Sequence, residues 1–298
     1  MTHPWTAEHS VTAELALALV RGQFPELDAR RVEPFGSGWD NTAFLVDGHA
    51  VFRFPRKAGT VVLLERETRA LPRIAPRLPL AIPVPRWIGR PAEEYPWPFA
   101  GYARLPGATA CAAHLADEER MAAAAPLGEF LAALHATSTE GLGLPGDEIR
   151  RTDFVERMPK LLERIEAVRP LIGDPAPWLR LFGGAHPGPP ARAAVVHGDL
   201  YVRHLLVDDA RRVSGVIDWG DLHAGDPAVD LTIMWTFLPP SARAAFAAAY
   251  GPIDERTRRT ARLRAAYHSI NMAWFAGSIR DAALLRESLL ALRHVLEE

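Results

Sequence analysis

Two acidic residues in one short segment have the types and spacing for phosphoryl transfer. Asp199 follows an apolar pair that ends at Val196, and Asp218 ends a later apolar run that begins at Val213. One carboxylate could accept a proton from a hydroxyl group while the other holds a metal ion. Phosphoryl transfer to a hydroxyl group uses both functions. Such a pair can act only if the surrounding elements bring both acids into one neighbourhood.

The elements between the two acids favour that arrangement. Two apolar runs, residues 205–207 and 213–217, are separated by a polar turn at 208–212. Short β-branched runs bounded by turns predict buried strands. Two such strands in succession predict a hairpin whose ends hold Asp199 and Asp218 close together.

The motifs of this segment resemble the catalytic segment of a known family. HGDLYVRH (197–204), VIDW (216–219) and GDPAVDL (225–231) are similar to the aminoglycoside phosphotransferases. The resemblance implies an α+β, bilobal, protein-kinase-like fold, with a small β-rich nucleotide-binding lobe at 1–104 and a larger, mainly helical catalytic and acceptor-binding lobe at 105–298. It also implies that Asp199 is the catalytic base and that Asp218 is a metal ligand.

One position of the catalytic segment departs from the commonest family pattern. Five residues after the catalytic Asp the family usually has Asn, and this chain has His204. Macrolide phosphotransferases carry His there, and HGDLYVRH is close to their loop. A neutral imidazole nitrogen can replace an amide oxygen as a metal ligand, although it is softer and suits Mg²⁺ less well. Asp218 is therefore the stronger metal candidate and His204 the second.

A glycine-containing loop precedes a predicted hairpin near the N-terminus. Strand-like runs at 42–46 and 50–54 flank Asp47-Gly48, which is a strong hairpin signal. Kinase-like folds cover the nucleotide phosphates with a loop of small residues between their first two strands. Gly36, Ser37 and Gly38 occupy that place. Two glycines alone indicate only a turn, and the catalytic segment favours the phosphate-binding role.

A cation for the nucleotide phosphates is expected on the second strand of this hairpin. Kinases place a basic residue there and pair it with a Glu on the following helix. Arg53 holds the position, and members of the family carry Arg in such a strand. The helix predicted at 60–75 offers Glu67, within RETRAL, as the partner, with Glu65 as the alternative. A solvated helix face is the more usual role for Glu65.

The chain then changes from proline-rich to helical. Residues 72–98 predict rigid, extended connections with a short strand-like segment at 84–88, and residues 99–104 predict the last strand of the small lobe. GYARLPG (101–107) resembles the kinase hinge, which implies main-chain contacts to the purine near Tyr102 and Leu105. Such contacts do not distinguish ATP from GTP as the donor.

Three more helices and a loop are predicted outside the catalytic segment. The helices are expected at 11–20, 117–136 and 152–168, with Ser10 or Thr12 capping the first, and the loop at 170–190. His135, on an apolar helix side, predicts a packing role in the core. Asp153 and Glu156 could contact the acceptor, although a solvated helix face is the more usual role for both.

Three polar residues near Asp199 in the sequence are expected to have structural roles. Asp226 and Asp230, both within GDPAVDL, are expected to begin the next helix, where acidic side chains cap backbone amides. His197 is expected to fix the loop through hydrogen bonds and not to act as the base. The C-terminal tail also contains the aromatic residues Trp235, Tyr267, Trp274 and Phe275. Most of them are expected in the core, and some could line an acceptor pocket.

Composition excludes several classes of protein. A net charge of -2 over 298 residues gives no argument for nucleic acid or an anionic membrane as a partner. Cys111 is the single cysteine, which excludes an intramolecular disulfide and fits a cytoplasmic location. No run of about twenty apolar residues predicts a membrane span, and the first ten residues do not resemble a signal peptide.

The sequence therefore predicts a small-molecule kinase that uses Mg²⁺ and either ATP or GTP. The family implies a hydroxyl acceptor of the aminoglycoside or macrolide class, and an amino alcohol or a sugar is equally open. Residues 241–298 carry nine Arg against six Asp and Glu, which does not indicate an acidic cleft for a polycation. A catalytically inactive nucleotide-binding relative is a further alternative. A protein kinase is disfavoured because HGD replaces HRD and no APE segment follows Asp218.

Overall fold

The chain folds into two compact units in the computed structural model, which describes residues 7–183, 188–190 and 192–297. One unit comprises Met1–Pro76 and Ile82–Leu105, and the other Arg77–Ala81 and Pro106–Glu298. The first is built around a β-sheet and the second is mainly helical. This content confirms the predicted α+β class.

A five-stranded antiparallel sheet with the order β1-β2-β3-β5-β4 forms the centre of the N-terminal unit. Buried aromatic side chains fill one face, and the rings of Phe54 and Phe99 stack with their centroids 4.7 Å apart. The elements of this unit are α1 (Ala13–Gln23), β1 (Val32–Ser37), β2 (Asn41–Val46), β3 (Ala50–Pro55), α2 (Ala58–Ile74), β4 (Pro85–Gly89) and β5 (Phe99–Ala103).

Local sequence signals account for the start of α1 and for the β2–β3 hairpin. Thr12, one of the two candidate caps, accepts a hydrogen bond from the backbone amide of Leu15. Asp47 and Gly48 both adopt a positive φ, of 48° and 76°. Two left-handed residues match the turn to the twist of the strands, which is why Asp-Gly favours this connection. The predicted hairpin is confirmed.

Two small sheets and a set of helices form the C-terminal unit. Strands β8 and β9 pair as the predicted antiparallel hairpin, and β7 pairs with β10, which the sequence did not predict. The elements are β6 (Ala108–Thr109), α3 (Ala110–Ala113), α4 (Asp117–Ala122), α5 (Ala124–Ala136), α6 (Phe154–Ile172), α7 (Ala176–Phe182), β7 (Ala194–Val196), β8 (Leu205–Val207), β9 (Val213–Val216), β10 (His223–Gly225), α8 (Ile233–Thr236), α9 (Arg243–Tyr250), α10 (Glu255–Ile279) and α11 (Ala282–Leu296).

Two predictions for this unit were wrong. The single helix expected at 117–136 is interrupted at Ala123, because Pro126 has no N–H to donate to the carbonyl one turn earlier. The loop expected at 170–190 instead contains the end of α6 and the whole of α7, which Pro175 precedes. Proline is compatible with a helix start. Residues 184–187 of that stretch, and residues 1–6 of the N-terminal segment predicted not to be a signal peptide, lie outside the described residues.

The helices carry no sign of a membrane span. In the described ranges, none of them is both long enough and apolar enough to cross a membrane.

Candidate active site

Gly198 fixes the path of the loop that carries Asp199. The loop spans residues 197–204, between β7 and β8, and Gly198 adopts a φ of +91° within it. A Cβ atom at this position would lie 2.3 Å from the carbonyl oxygen of Asp221. Both the dihedral angle and the close approach therefore require glycine here.

Asp230 connects residues 197–204, which we call the catalytic loop, to the core. Its carboxylate is fully buried and accepts hydrogen bonds from the backbone amides of His197, at 2.7 Å, and Gly198, at 2.9 Å. His135 contacts the same carboxylate at 3.2 Å, so it joins a buried network and does not merely pack. Burial opposes ionisation of Asp230, but the hydrogen bonds that its carboxylate makes with His135 and the Gly198 amide outweigh it and lower the pKa of Asp230.

His197 and Asp226 have the structural roles that the sequence predicts, whereas Asp230 binds amides of the catalytic loop and does not cap a helix that it begins. The Nε2 atom of His197 donates to the carbonyl of Ile217 at 3.0 Å, and its Nδ1 accepts from the amide of Asp199 at 3.3 Å. Burial lowers the pKa of His197, so the ring is neutral and both nitrogens are occupied. Asp226 accepts from the amide of Ala228 and thereby starts a short 3₁₀ turn.

Arg151 is a loop contact that sequence reasoning missed. Its side chain is buried and donates from Nε to the carbonyl of Gly198 at 3.1 Å. The guanidinium also pairs with Asp147, at 2.6 Å, and with Asp221. The local sequence gives no signal for the contact with the loop, because Gly198 and Asp221 lie 47 and 70 positions from Arg151 and only Asp147 is close in sequence.

The carboxyl group of Asp199 lies in an environment that favours a base of intermediate strength. Desolvation by the surrounding protein raises its pKa to about 6, although the side chain is 34% exposed. The positive charges of His204 and Arg264 oppose that shift, and the negative charges of Asp221 and Asp218 add to it. A carboxyl group with such a pKa is largely ionised near neutral pH and can still accept a proton.

His204 and Asp218 bring two possible metal-ligand atoms close together, a ring nitrogen and a carboxylate oxygen. His204 Nδ1 lies 2.7 Å from the carbonyl oxygen of Asp199, which can only accept, so Nδ1 carries the proton. The other nitrogen, Nε2, lies 3.3 Å from a carboxylate oxygen of Asp218. Burial disfavours protonation of His204, but the hydrogen bond and charge of Asp218, and the charge of Asp199, outweigh it and raise the pKa.

This donor pair fits a divalent cation. In the neutral ring the Nε2 lone pair is directed to the same side as the Asp218 carboxylate, and a carbonyl contact at the other nitrogen is the usual support of a metal-binding His. Asp218 is half-exposed and adopts a φ of +64°, uncommon for a residue with a side chain. Within the described ranges no group of three or more His, Cys, Asp or Glu is arranged to hold a metal, so such an ion would complete its shell with phosphate oxygens and water.

The N-terminal unit contains the cation that the sequence assigned to the phosphates. Arg53 on β3 donates to both carboxylate oxygens of Glu67 on α2, at 3.1 and 2.9 Å. Glu67 is buried, whereas 16% of the Arg53 side chain is exposed. Glu65, the alternative partner, is exposed on the helix surface. The structure thus brings together the pair that the sequence favoured.

Tyr102 supports that pair through its side chain. Its ring is buried and its hydroxyl donates to Glu67 at 3.3 Å. The residue lies in the interior of β5, where it pairs with both β3 and β4. Leu105 follows the strand and is half-buried. Of the two positions, Leu105 is the better placed for a main-chain contact with a ligand.

The glycine loop is exposed. Gly36 and Ser37 end β1, and the amide of Gly38 donates to the carbonyl of Asn41 at 3.0 Å. A Cβ atom at Gly36 would meet nothing within 4 Å, and one at Gly38 would meet only the Asn41 carbonyl oxygen, at 4.0 Å. Neither the backbone conformation nor packing requires glycine at these two positions.

Asp153 and Glu156 have local partners. Asp153 caps α6 by accepting from the amide of Glu156 at 3.0 Å. Both carboxylates also pair with Arg150 on the protein surface. These contacts fit the solvated helix face that the sequence favoured for the two residues.

Comparison with known proteins identifies the family of the chain. The model of the phosphotransferase enzyme family matches residues 31–266. The chain belongs to this family. That membership confirms the resemblance drawn from the catalytic segment, and the match extends over both units of this phosphotransferase-family protein.

Solved structures show the same fold. The protein is similar to the GDP complex of wild-type aminoglycoside 2'-phosphotransferase-IIIa, with 24% identity, a TM-score of 0.68, and coverage of 96% of this chain and 99% of that one. It is also similar to macrolide 2'-phosphotransferase MphH from Brachybacterium faecium, with 23% identity, a TM-score of 0.63, and coverage of 94% and 97%. These likenesses confirm the kinase-like architecture.

A relative of assigned activity matches part of the protein. Viomycin phosphotransferase of Streptomyces vinaceus is 32% identical over 145 residues, which are 45% of this chain and 48% of the relative. The chain spans less than half the length of the curated relatives it matches.

Proposed function

We propose that this protein is a kinase that transfers the terminal phosphate group of a nucleoside triphosphate to a hydroxyl group of a small molecule. The observation that carries the proposal is the position of Asp199 in the catalytic loop. Its carboxyl group has a pKa raised to about 6 by desolvation, next to the donor pair of His204 and Asp218. A proton acceptor beside a cation site is the arrangement that phosphoryl transfer to an alcohol requires.

Asp199 orients the acceptor hydroxyl and takes its proton. The hydroxyl oxygen bonds to the terminal phosphorus while the bond from that phosphorus to the nucleoside diphosphate oxygen breaks, and the proton passes to the carboxylate. The loop holds Asp199 in place beforehand through Asp230 and Arg151. Positioning of this kind supplies much of the rate in phosphoryl transfer.

Residues of the N-terminal unit bind the nucleotide. Arg53 contacts phosphate oxygens while Glu67 fixes its guanidinium, and Tyr102 supports Glu67. The backbone of Gly36, Ser37 and Gly38 lies against the phosphates, which explains glycines that the fold itself does not require. Leu105 provides the main-chain contact to the purine. GTP is a donor to test beside ATP, because one structural relative was solved as a GDP complex.

His204 and Asp218 would hold a divalent cation, for which Mg²⁺ is the general choice in kinases. Such an ion supplies positive charge to the phosphate oxygens. The protein's own contribution is the fixed tautomer of His204, which leaves Nε2 as the donor, and the carboxylate of Asp218. Because two protein ligands alone would not fill the shell of such an ion, the nucleotide and the cation are expected to bind together.

The acceptor is a small hydroxyl compound. The named relatives act on an aminoglycoside, a macrolide and viomycin, so antibiotics of these classes are the first to test. A metabolic amino alcohol or sugar is the second class. The cytoplasm supplies the nucleotide, and neither nucleic acid nor a membrane is required by the chemistry.

Acceptor-dependent nucleotide consumption tests the proposal. The full chain is assayed with ATP and GTP, Mg²⁺ and a panel of these acceptors, and Asp199→Asn serves as the matched variant. Loss of the base is expected to lower turnover by about 10²- to 10⁴-fold, with nucleotide binding in calorimetry unchanged. Turnover undiminished in Asp199→Asn would refute the assigned base. Binding of nucleotide without turnover of any acceptor would favour a catalytically inactive relative.

A further inference from the structure

One turn of α10 packs on the catalytic loop within the C-terminal unit. The ring of His268 meets the ring of Tyr201, two residues after Asp199, with the centroids 5.0 Å apart. Tyr201 in turn contacts His204, with a centroid distance of 4.4 Å. Arg264 lies four residues before His268 and therefore shares its helix face. Its positive charge acts on the Asp199 carboxylate.

A second cation accompanies Arg264. The guanidinium of Arg264 lies 5.7 Å from the ring centroid of Tyr267, and that of Arg157, on α6, lies 5.3 Å from the same centroid. Arg157 also donates to the Tyr267 hydroxyl at 3.4 Å. Desolvation, together with the charge of Arg157, lowers the pKa of Arg264 to about 10. The region next to Asp199 is thus cationic and aromatic.

The arginines of this region differ in how their donors are used. Arg151 is occupied by Asp147, Asp221 and the Gly198 carbonyl, and Arg157 donates to the carbonyls of residues 149 and 150. Arg264 makes no hydrogen bond or ion pair with any residue in the part of the chain that the structure describes. A guanidinium has five N–H donors in a planar fork that suits an oxyanion.

We propose that Arg264 binds an anionic group of the acceptor, a carboxylate or a phosphate ester, and so places the acceptor hydroxyl against Asp199. This inference rests on the proposed kinase function and names its substrate class: a hydroxyl compound that carries a negative charge. The partly buried, unpaired guanidinium is then neutralised on binding, which makes the contact strong and charge-assisted. Polycationic acceptors would instead meet Arg264 and Arg157 as like charges.

Matched pairs of acceptors that differ in one carboxylate test the proposal. The pairs are glycerate with glycerol, homoserine with 3-aminopropan-1-ol, and glucuronate with glucose, each assayed with the full chain, Mg²⁺ and ATP or GTP. The acid of at least one pair is expected to be preferred at least tenfold in kcat/KM. In Arg264→Met that preference is expected to disappear through a higher KM for the acid, and Arg264→Lys is expected to restore part of it.

Arg258→Met is the control variant, because Arg258 is exposed on the same helix and its loss removes the same charge. It is expected to keep the preference. Thermal stabilisation by each acid, measured with and without Arg264, gives a readout that does not depend on turnover. If none of the three acids is phosphorylated or stabilises the protein through Arg264, the proposal is overturned.

Three further outcomes separate this inference from the proposed function. Efficient turnover of uncharged or cationic acceptors, unaffected in Arg264→Met but lost in Asp199→Asn, would overturn the inference and leave the kinase intact. An equal fall in kcat for both members of a pair, without a change in KM, would show that Arg264 acts on the transferred phosphate group, which also overturns it. Absence of all acceptor-dependent turnover would count against the kinase itself.

Discussion

The catalytic loop, residues 197–204, and the glycine loop, residues 36–38, use glycine in opposite ways. Gly198 has a positive φ, and a Cβ atom there would collide with the backbone of Asp221. Gly36 has open space around its Cα, and the surrounding loop is exposed. The fold explains the first glycine and does not explain the second.

The difference follows from what each loop must do. The proposed proton acceptor has to be positioned before the substrate arrives, and buried hydrogen bonds to the Asp230 carboxylate and from Arg151 hold the catalytic loop. A loop that covers phosphates can obtain its contacts from the ligand, and a side chain would only keep its backbone away from the anion. The open space at Gly36 therefore fits the phosphate-binding role that we propose for this loop.

Gly198→Ala is the substitution with the largest expected effect. The positive φ and the 2.3 Å approach to the Asp221 carbonyl both oppose a methyl group. We expect a loss of about 2 kcal/mol or more in the free energy of unfolding, measured by denaturant titration of the full chain. The strained loop should also carry a misplaced Asp199, so turnover should fall with stability.

Gly36→Ala is the matched control for this comparison. The same added methyl group meets open space, so the free energy of unfolding is expected to stay within about 0.5 kcal/mol of the original. The expected change is instead a higher KM for the nucleotide. Equal destabilisation by both substitutions would contradict the distinction between the two loops.

The pH dependence of turnover tests whether the surroundings of the catalytic loop raise the pKa of Asp199. Asp199 has a pKa raised to about 6, and it must be ionised to accept a proton. Activity is therefore expected to fall as pH falls through about 6, by roughly tenfold per pH unit below it. A profile that stays flat down to about pH 5 would contradict this pKa. Initial rates at saturating nucleotide and metal provide the measurement.

The same raised pKa predicts that ionised Asp199 reduces stability near neutral pH. A folded-state pKa of about 6 lies above the unfolded value of about 4, so the stabilisation linked to Asp199 is complete below about pH 4 and is lost as pH rises through 6. Asp199→Asn carries no charge at any pH. It is expected to melt at a higher temperature than the original protein at pH 8 and to lose that advantage near pH 4.

Local patterns in the sequence were enough to predict several parts of the fold and site. Strand alternation and the Asp-Gly turn predicted the β2–β3 hairpin, which places Arg53 opposite α2 and its Glu67. Apolar runs around a polar turn predicted the β8–β9 hairpin. These signals extend over a few residues, where the covalent chain itself sets the spacing.

Other features depend on contacts between distant residues and gave no local signal. Arg151 reaches a carbonyl 47 positions away and a carboxylate 70 positions away. In the sequence, nothing distinguishes Arg264 from the other arginines of its helix. Only the packing of α10 on the catalytic loop does so. Proline was also ambiguous, because Pro126 interrupts a helix and Pro175 precedes one.

Metal preference gives the smallest and most specific test of the preorganised loop. The carbonyl of Asp199 fixes the His204 proton on Nδ1, so the loop presents Nε2 toward Asp218 before any cation binds. Imidazole nitrogen favours Mn²⁺ over Mg²⁺ relative to an amide oxygen. In His204→Asn the ratio of kcat/KM with Mn²⁺ to that with Mg²⁺ is expected to fall by about tenfold, the scale on which changes around a metal site alter affinity.

His268→Asn is the control for that ratio, because His268 is an imidazole that contacts Tyr201 from α10 and is not one of the two proposed cation ligands. Its ratio should stay unchanged. The raised pKa of His204 also predicts how metal affinity depends on pH. Protons compete with the cation for Nε2, so apparent metal affinity should rise with pH in the original protein and less steeply in His204→Asn. An unchanged ratio and an unchanged pH dependence in His204→Asn would mean that Asp218 binds the cation without His204, and that the fixed tautomer serves only to hold the backbone of Asp199.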